Sequence, residues 1–409
     1  MLHGIMAALE ADEEAMVVTL DARNAFNEMD CNVILAAVKQ RCPQLLSLAR
    51  FCYGGPTPLF IRGAPPGTDL ASHCGVKQGD PLGPLFFALG LQGVLESAAK
   101  AVPLAAPMAY LDDINIVARG PAMRQFVGRL TGDGPGSAKS VGLEIVPRKS
   151  ECFTPHEGAK AKFAKTACAT GIAVREEGTV IVGTPIGSDD FVKKSVRAKA
   201  DQVIALIKKL MGLRSVSKQT KFQVCRQSFS ARLPHLMRKL RWHLIEDAMG
   251  AVDREIINAA AAMFGLTQIA EPTRRSDLPR PLQQALLAIR HGGLGLRYTS
   301  EPEAEAALFS GIGVAHEVLR EGPKAFQTLD GPQAEGLQER WQALRASRPE
   351  IAKKLGNEKT DSLAPSTPAP TSLSSKNRRP RRGRCCRRGL HACGEAREQE
   401  RASGRGDAM

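Results

Sequence analysis

Apolar residues in the first half of the chain follow two spacings, one typical of strands and one typical of helices. Residues 16–20 (MVVTL) form a short β-branched run that ends at Asp21 and indicates a buried strand. Over residues 31–51, 84–101 and 122–130, apolar positions recur at the three-to-four-residue spacing that predicts helices. The segment 84–101 is so apolar that we expect its helix to be buried.

Residues 108–117 divide into two short apolar runs around Asp112-Asp113, which predicts a β-hairpin with these two residues as its turn. Further short strands are predicted at residues 59–61, 143–146 and 179–182. After residue 190, nearly every segment to about residue 355 has helical spacing. The predicted fold class is therefore α+β, with an antiparallel sheet packed on helices followed by an all-α region.

The basic residues are concentrated in two segments. The chain carries 56 Lys plus Arg against 42 Asp plus Glu, a formal net charge of +14. Residues 193–241 contain fourteen of the basic residues and one acid, Asp201, interleaved with apolar residues at helical spacing. Amphipathic helices with so basic an outer face favour contact with a phosphate backbone over a merely solvated surface. Residues 376–409 carry eleven basic and four acidic residues. The whole segment from residue 360 is rich in Pro, Ser and Arg, and we expect a disordered tail there.

Several classes of protein are excluded by what the 409 residues lack. No run of 18 or more apolar residues occurs, so we expect no membrane partner, and we expect no secretory signal in the first residues. Ten cysteines without a framework spacing suit a reducing compartment, and we expect an intracellular, nuclear protein. No P-loop and no GxSxG elbow is present, and aromatic residues are scarce for a protein that stacks single-stranded bases.

Three carboxylates are the candidates for chemistry. Asp21 ends the first strand, and Asp112 and Asp113 lie in the predicted hairpin. If the strand and the hairpin are neighbours in one sheet, the three side chains meet at one edge, and a divalent cation is the usual explanation of such an acidic cluster. Oxygen ligands favour Mg²⁺ or Mn²⁺ over zinc, and two such ions support in-line phosphoryl transfer. The alternative is that Asp-Asp is only a good turn and Asp21 only a cap.

Five segments, in a fixed order along the chain, resemble a known family. They are DARNAFN at 21–27, GVKQGDPLGPL at 75–85, AYLDDI at 109–114, GLEIVPRK at 142–149 and GTPIG at 183–187. In order, they resemble the first and second motifs, the YxDD box, the fourth motif and the primer grip of reverse transcriptases. Gly83 stands where many members have Ser.

The style of these matches is that of non-long-terminal-repeat (LINE-type) retrotransposon polymerases. The segments SARLPHLMR at 230–238 and HGGLGLR at 291–297 are similar to regions in and after the thumb of such elements.

The resemblance implies a catalytic centre. Asp21, Asp112 and Asp113 would hold two Mg²⁺ ions (Mn²⁺ is possible) that bind the incoming deoxynucleoside triphosphate and the primer 3′-hydroxyl. Lys149 would stabilise or protonate the pyrophosphate leaving group. A solvated lysine is the plainer interpretation of that position.

The resemblance also implies residues that bind substrate. Phe26 would exclude a ribose 2′-hydroxyl, while Gln78 and Gly79 would contact the nucleotide and the template backbone, where glycine permits close approach. Plainer interpretations are a core aromatic for Phe26 and a simple turning loop for the other two. The primer end would be held by Gly183, Thr184, Pro185, Ile186 and Gly187.

As a whole, the resemblance implies an RNA-directed DNA polymerase acting on an RNA template, a DNA primer and deoxynucleoside triphosphates. The implied organisation is a residual N-terminal helix (1–16), a palm with partial fingers (17–190), a helical thumb and connection (191–300), a helical extension (301–355) and a disordered basic tail (356–409).

The family's fingers region, which precedes the first catalytic strand, is missing here, so we expect an N-terminally truncated enzyme. The second hypothesis is an inactive or weakly active retroelement remnant that binds nucleic acid non-specifically. In the tail, Cys385, Cys386, His391 and Cys393 have no usual zinc-site spacing. Nuclear import, RNA binding or simple solvation suits that segment better.

Overall fold

The computed structural model describes residues 1–63, 65, 70–161, 171–266 and 278–321, with the isolated positions 342, 346 and 349. At its centre lies a five-stranded sheet of strand order β4-β5-β1-β6-β7. These strands are β1 (Ala15–Leu20), β4 (Ala106–Tyr110), β5 (Asp113–Arg119), β6 (Glu151–Phe153) and β7 (Ala173–Arg175). Two separate hairpins are formed by β2 (Thr57–Leu59) with β3 (Leu70–Ser72) and by β8 (Gly178–Ile181) with β9 (Thr184–Gly187).

The predicted antiparallel sheet is confirmed except at one edge. The pairs β4–β5, β5–β1 and β1–β6 are antiparallel, whereas β6 and β7 are parallel. A parallel pair requires a long crossover, and the connection over residues 154–172 is long enough to supply it. No strand was predicted at β7, because three residues are too few to show the alternation of apolar and polar positions that indicates a strand.

Each face of the sheet is covered by different elements. On one face, Met16, Val18 and Leu20 of β1 join the buried cluster formed with the helices of the first half. Those helices are α2 (Ala25–Glu28), α3 (Cys31–Arg41), α4 (Leu46–Tyr53), α5 (Gly83–Ala101) and α6 (Gly120–Thr131). On the other face, Val17 belongs to a smaller cluster with α1 (Leu2–Ala11) and the β8–β9 hairpin. Alternate side chains of β1 therefore point to opposite faces of the sheet and pack into different clusters.

The described part of the chain after residue 188 is mainly helical, as predicted. It contains α7 (Asp189–Gly212), α8 (Lys218–Gln227), α9 (Trp242–Phe264), α10 (Arg280–Ala285) and α11 (Glu301–Glu321). Ser188 caps α7 by accepting a hydrogen bond from the Phe191 N–H, and two aspartates in its first turn complement the helix dipole. The inner stripe of α7, which includes Val196, Val203 and Ile207, packs with α9 in one buried cluster.

Three local predictions need correction. Residues 143–146 form no strand, since only Ile145 makes an isolated bridge to Ala22. The segment is confined between Gly142, which has a positive φ of 82°, and Pro147, which begins a 3-10 turn. The strand predicted at 59–61 ends at Leu59, and Phe60 beyond it is 94% exposed.

The third correction concerns the hairpin turn, which is formed by residues 111 and 112 and not by residues 112 and 113.

The predicted tail at 356–409, with its Cys and His residues, lies outside the described residues. So does the predicted helical extension after residue 321, apart from the three isolated positions. Within the described part of the chain, no helix is long and apolar enough to cross a membrane.

Asp253 is a buried carboxylate that ties α9 to the segment before α11. Its Oδ2 accepts a hydrogen bond of 2.7 Å from the Thr299 backbone N–H, and the residue is 6% exposed. Burial raises the pKa of this carboxyl to about 7, against the opposing effect of the Thr299 hydrogen bonds and with a smaller contribution from the charge of Glu303. Because an acid with a raised pKa holds its proton in the folded state, folding binds a proton between about pH 4 and pH 7.

We therefore expect stability to fall as the pH rises through that window, by at most about 1.4 kcal/mol per pH unit. Asp253→Asn removes the titration but keeps an amide oxygen for the Thr299 N–H. Its unfolding free energy, measured by urea titration from pH 4 to pH 8, should depend less on pH than that of the wild type. Asp247→Asn, an exposed carboxylate on the same helix, is the control. Equal pH slopes in the Asp253 variant and the wild type would refute the assignment.

Candidate active site

The pairing of β1 with β5 brings two of the three candidate carboxylates together. Leu20 lies opposite Ile114 in the antiparallel ladder. One residue further in the same register, Asp21 comes opposite Asp113, and residues directly opposite share a face of the sheet. That face also carries the preceding pair, in which the Thr19 hydroxyl donates to the Asn115 side-chain oxygen at 2.9 Å.

The hairpin turn differs from the prediction by one residue. Tyr110 pairs with Asp113, so the two-residue turn is formed by Leu111 and Asp112 rather than by Asp112 and Asp113. Leu111 adopts a φ of 59°, an uncommon conformation for a non-glycine residue. The preference of aspartate for turns suggested the wrong pair, because the register is set by Ile114, which must point into the core. Asp113 is therefore fixed by the β5 ladder, while Asp112 projects from the turn.

The charges of Asp112 and Asp21 both act on Asp113. Burial raises the pKa of Asp113, and the negative charges of Asp112 and then Asp21 raise it further. The Asp21 side chain is 45% exposed as a whole, yet its Oδ2 is enclosed and accepts no hydrogen bond. The Lys149 ammonium lies 3.6 Å from that oxygen.

The chemistry of this group fits a hard divalent cation, but the present side-chain positions do not complete an ion site. Among the described residues, no group of three or more His, Cys, Asp or Glu side chains is arranged to hold a metal ion. The donors are oxygens only, one of them enclosed without a hydrogen bond, and their charges repel each other. Binding an ion would therefore require the aspartate side chains to rotate toward each other.

Backbone hydrogen bonds place the fourth motif against Asp21. The Val146 N–H donates to the Asp21 carbonyl at 2.8 Å, and the Arg23 N–H donates to the Glu144 carbonyl at 2.8 Å. Buried Ser150 was not predicted as a site residue. Its hydroxyl accepts a hydrogen bond from the Asp21 N–H at 3.2 Å and donates to the Val146 carbonyl at 2.9 Å. The only sequence signal for Ser150 is its position directly after Lys149.

Phe26 packs on the core and keeps part of its side chain accessible. Its ring stacks on buried Phe87, with centroids 4.6 Å apart and planes inclined by 13°, and its side chain remains half-buried. Its carbonyl accepts the Val76 N–H at 2.6 Å, while the Gly75 N–H donates to the Met29 carbonyl at 2.8 Å. Phe26 is thus held by the core and lies beside the 75–80 segment.

Gln78 and Gly79 are exposed at the turn that follows Val76. Gly79 has a φ of +91°, and a Cβ built there would meet nothing within 4 Å. The turn is bracketed by Asp80, whose Oδ2 accepts a hydrogen bond from the Tyr53 hydroxyl. Neither Tyr53 nor Asp80 was predicted to matter, since 27 residues separate them in the chain.

The predicted primer-grip segment is strand β9 together with the turn before it. Val182 and Gly183 form the turn, with φ values of 44° and 71°. Lys199 donates to the Gly183 carbonyl, and Lys239 donates to the buried Thr184 hydroxyl at 3.0 Å. Burial lowers the pKa of both lysines, and the charge of Lys199 lowers that of Lys239 further. The other three members of the segment, Pro185, Ile186 and Gly187, complete β9 on the sheet face that carries Asp21.

The basic segment presents most of its charge to solvent. Ten of its lysines and arginines are exposed: Lys193, Lys194, Arg197, Lys208, Lys209, Arg214, Lys218, Arg232, Arg238 and Arg241. Lys221 is an exception, because it is buried and donates to the Met211 carbonyl at 2.9 Å. Leu206, one of the apolar residues whose helical spacing predicted a buried inner face, is 38% exposed.

Residues 3–196 match the reverse transcriptase (RNA-dependent DNA polymerase) family model. The matched segment 3–196 contains every predicted site residue from Asp21 to Gly187. It also contains α1, which was predicted to lie outside the palm. The predicted fold class, a sheet packed on helices followed by a helical region, is confirmed for the described residues, whereas the domain boundaries stay predictions.

Two solved structures are similar to the chain. One is telomerase from Candida albicans in complex with a TWJ fragment of telomeric RNA, at 9% identity over 81% of this chain and 51% of that chain, with a TM-score of 0.38. The other is apo telomerase from Candida tropicalis, at 10% identity over 80% of this chain and 54% of that chain, with a TM-score of 0.39. The chain spans about half the length of these structures. No curated protein matches it.

Gly75 and Gly79 form a matched pair for testing how the 75–80 segment is held. Both have a positive φ, but a Cβ on Gly75 would lie 2.4 Å from the Asn27 Cα, whereas a Cβ on Gly79 would meet open space. We expect Gly79→Ala to cost about 1–2 kcal/mol, the penalty of a left-handed backbone. Gly75→Ala should cost clearly more, because the Asn27 backbone must also move. Urea unfolding of both variants measures the difference, and equal losses would contradict this packing.

Proposed function

We propose that this chain is an RNA-directed DNA polymerase that extends a DNA primer 3′-hydroxyl on an RNA template. The observation that carries the proposal is the register of β1 against β5. Continued by one residue, it sets Asp21 opposite Asp113, next to Asp112, inside the matched segment 3–196. The order and style of the motifs support an origin in a LINE-type retroelement.

In this proposal, Asp21, Asp112 and Asp113 hold two Mg²⁺ ions, a role that Mn²⁺ can also fill. When bound, such ions lower the pKa of the attacking hydroxyl and stabilise the charge on the leaving oxygen. Burial raises the pKa of Asp113 first, and the repulsion from Asp112 and Asp21 raises it further. That repulsion supports the assignment, because a cation between these side chains would relieve it. Lys149, already beside Asp21, is the group that protonates or stabilises the pyrophosphate.

The substrate-binding roles follow from placement. Phe26 is braced by Phe87 and keeps part of its ring accessible, which suits a side chain that blocks a ribose 2′-hydroxyl. Exposed Gln78 and Gly79 bind the nucleotide and the template backbone. The β8–β9 hairpin and residues 183–187 hold the primer end. The helices over residues 191–300 act as the thumb, with their basic surface on duplex phosphates.

Primer extension tests the proposal directly. With an RNA template, a DNA primer, Mg²⁺ and deoxynucleoside triphosphates, the wild type should extend the primer. The variant with both Asp112→Asn and Asp113→Asn should show no extension above background, because the ion ligands are gone. Asp133→Asn, which changes an exposed carboxylate in the loop after α6, should extend the primer at the wild-type rate. Extension by the double variant would show that these carboxylates are not the catalytic centre.

A second candidate function is nucleic-acid binding without efficient turnover. It is favoured by one observation, that the described carboxylates do not form a completed ion site. The exposed basic face of α7 would still bind duplex phosphates. If the wild type binds an RNA–DNA duplex tightly but never extends the primer, this second function is supported.

Salt dependence tests the basic face under either candidate. The logarithm of the affinity for an RNA–DNA duplex should fall linearly with the logarithm of the salt concentration. We expect Lys208→Gln with Lys209→Gln to weaken binding and to reduce the slope by about 0.9 for each phosphate that the protein no longer neutralises. The matched control is Lys39→Gln with Lys100→Gln, two exposed lysines on α3 and α5. Equal slopes for the two double variants would place the duplex elsewhere.

A further inference from the structure

Tyr53 is a buried tyrosine whose polar end faces the 77–80 turn. It is the last residue of α4 and is 4% exposed. Its ring packs edge-on against buried Phe86, with centroids 5.6 Å apart and planes at 87°. The ring is therefore fixed by the core, which leaves its hydroxyl in a defined place.

The Tyr53 hydroxyl connects both ends of the turn. It donates to Asp80 Oδ2 and accepts the Lys77 backbone N–H at 3.3 Å. The Lys77 ammonium lies over the same ring, 5.5 Å from its centroid. The turn between these two residues contains only Gln78 and Gly79, so one hydroxyl spans the segment that presents them.

Asp80 extends this connection into helix α5. Its Oδ1 accepts the Leu82 N–H at 2.9 Å, and its carbonyl accepts the Gly83 N–H at 3.1 Å. The hydrogen bond from Tyr53 lowers the pKa of Asp80, so this carboxylate stays ionised at neutral pH. Burial raises the pKa of Tyr53, so the phenol stays protonated and remains the donor. The pair is a hydrogen bond to a charged acceptor, which is stronger than a neutral one.

Gln78 and Gly79 depend on such anchors. Gln78 is exposed, and among the described atoms nothing comes within 4 Å of where a Gly79 Cβ would lie. Packing around the turn therefore does not fix its conformation. It is held by its own backbone hydrogen bond, from the Asp80 N–H to the Lys77 carbonyl at 3.2 Å, and by contacts on either side. Those contacts are the Val76 N–H bond to the Phe26 carbonyl and the Tyr53–Asp80 pair.

We propose that Tyr53 and Asp80 are positioning residues that hold the 77–80 turn in the conformation that binds the incoming nucleotide. The proposal rests on the proposed polymerase function for its substrate, and on the contacts above for its geometry. Neither residue is a catalytic residue here, since they act through Gln78 and Gly79.

Tyr53→Phe is the decisive variant because it removes one hydroxyl and keeps the ring on Phe86. Asp80→Asn is the second variant, since its single side-chain oxygen can serve Leu82 or Tyr53 but not both. Thr131→Val is the matched control. It also removes one partly buried hydroxyl, which donates to the Val127 carbonyl at the end of α6, away from the turn.

The first measurement is hydrogen exchange of the full chain without substrate. Peptides covering residues 76–83 should exchange at least about tenfold faster in Tyr53→Phe and in Asp80→Asn than in the wild type, and at the wild-type rate in Thr131→Val. The second is steady-state primer extension, in which Tyr53→Phe should raise the KM for the nucleotide about tenfold and change kcat less than about threefold.

Unchanged exchange in both variants would overturn the positioning role, whatever the activity. Faster exchange with an unchanged nucleotide KM would overturn the link to the nucleotide. If the wild type extends no primer, the proposed function fails and takes the nucleotide role with it, while the exchange data still decide whether the pair holds the turn.

Discussion

Six residue pairs join β1 to β5, and the placement of the candidate active site depends on their register. The pairs alternate between a face that packs on the helices of the first half and a face that carries Asp21 and Asp113. A slip of one residue would turn Asp21 toward the apolar cluster formed with the helices of the first half. It would also remove Val17 from the smaller cluster on the opposite face. The Thr19–Asn115 hydrogen bond works against such a slip, because Asn115 is fully buried and would lose its partner. A polar pair beneath the carboxylates thus fixes the register that apolar packing alone would leave less certain.

Much of this arrangement could be predicted from the sequence, and the failures have common causes. The strand at 16–20, the helices around it and the hairpin near residue 112 all have long or strongly patterned apolar runs. The turn was placed one residue too late, because aspartate preference is a weaker constraint than the burial of Ile114. Residues 143–146 resemble a strand in composition, but the positive φ of Gly142 and the 3-10 turn at Pro147 confine them. Ser150 and Tyr53 act through contacts with Asp21 and Asp80, and no local pattern reports such pairings.

Net charge alone overstates the surface that the helical half offers to a polyanion. Lys221 directs its ammonium to the Met211 carbonyl, and Lys199 and Lys239 both bind the β8–β9 hairpin. These three lysines are structural in part, since each satisfies an oxygen acceptor. The exposed remainder is still strongly basic, and five of its ten residues lie on α7, whose opposite stripe is buried. The sequence gives the number of basic side chains, whereas only the fold shows which of them already bind an acceptor within the protein.

The junction between β9 and α7 has a mechanical consequence. Strand β9 ends at Gly187, Ser188 caps the helix, and α7 then runs for 24 residues without a break. Lys199 of α7 also donates a hydrogen bond to the Gly183 carbonyl in the turn of the hairpin, so the hairpin and the helix are connected at two points. A helix of that length is about 36 Å long, so a tilt of about 5° at the hairpin becomes a swing of about 3 Å at the distant end. Because α7 is also packed on α9, a movement of these two helices would therefore displace the hairpin as well.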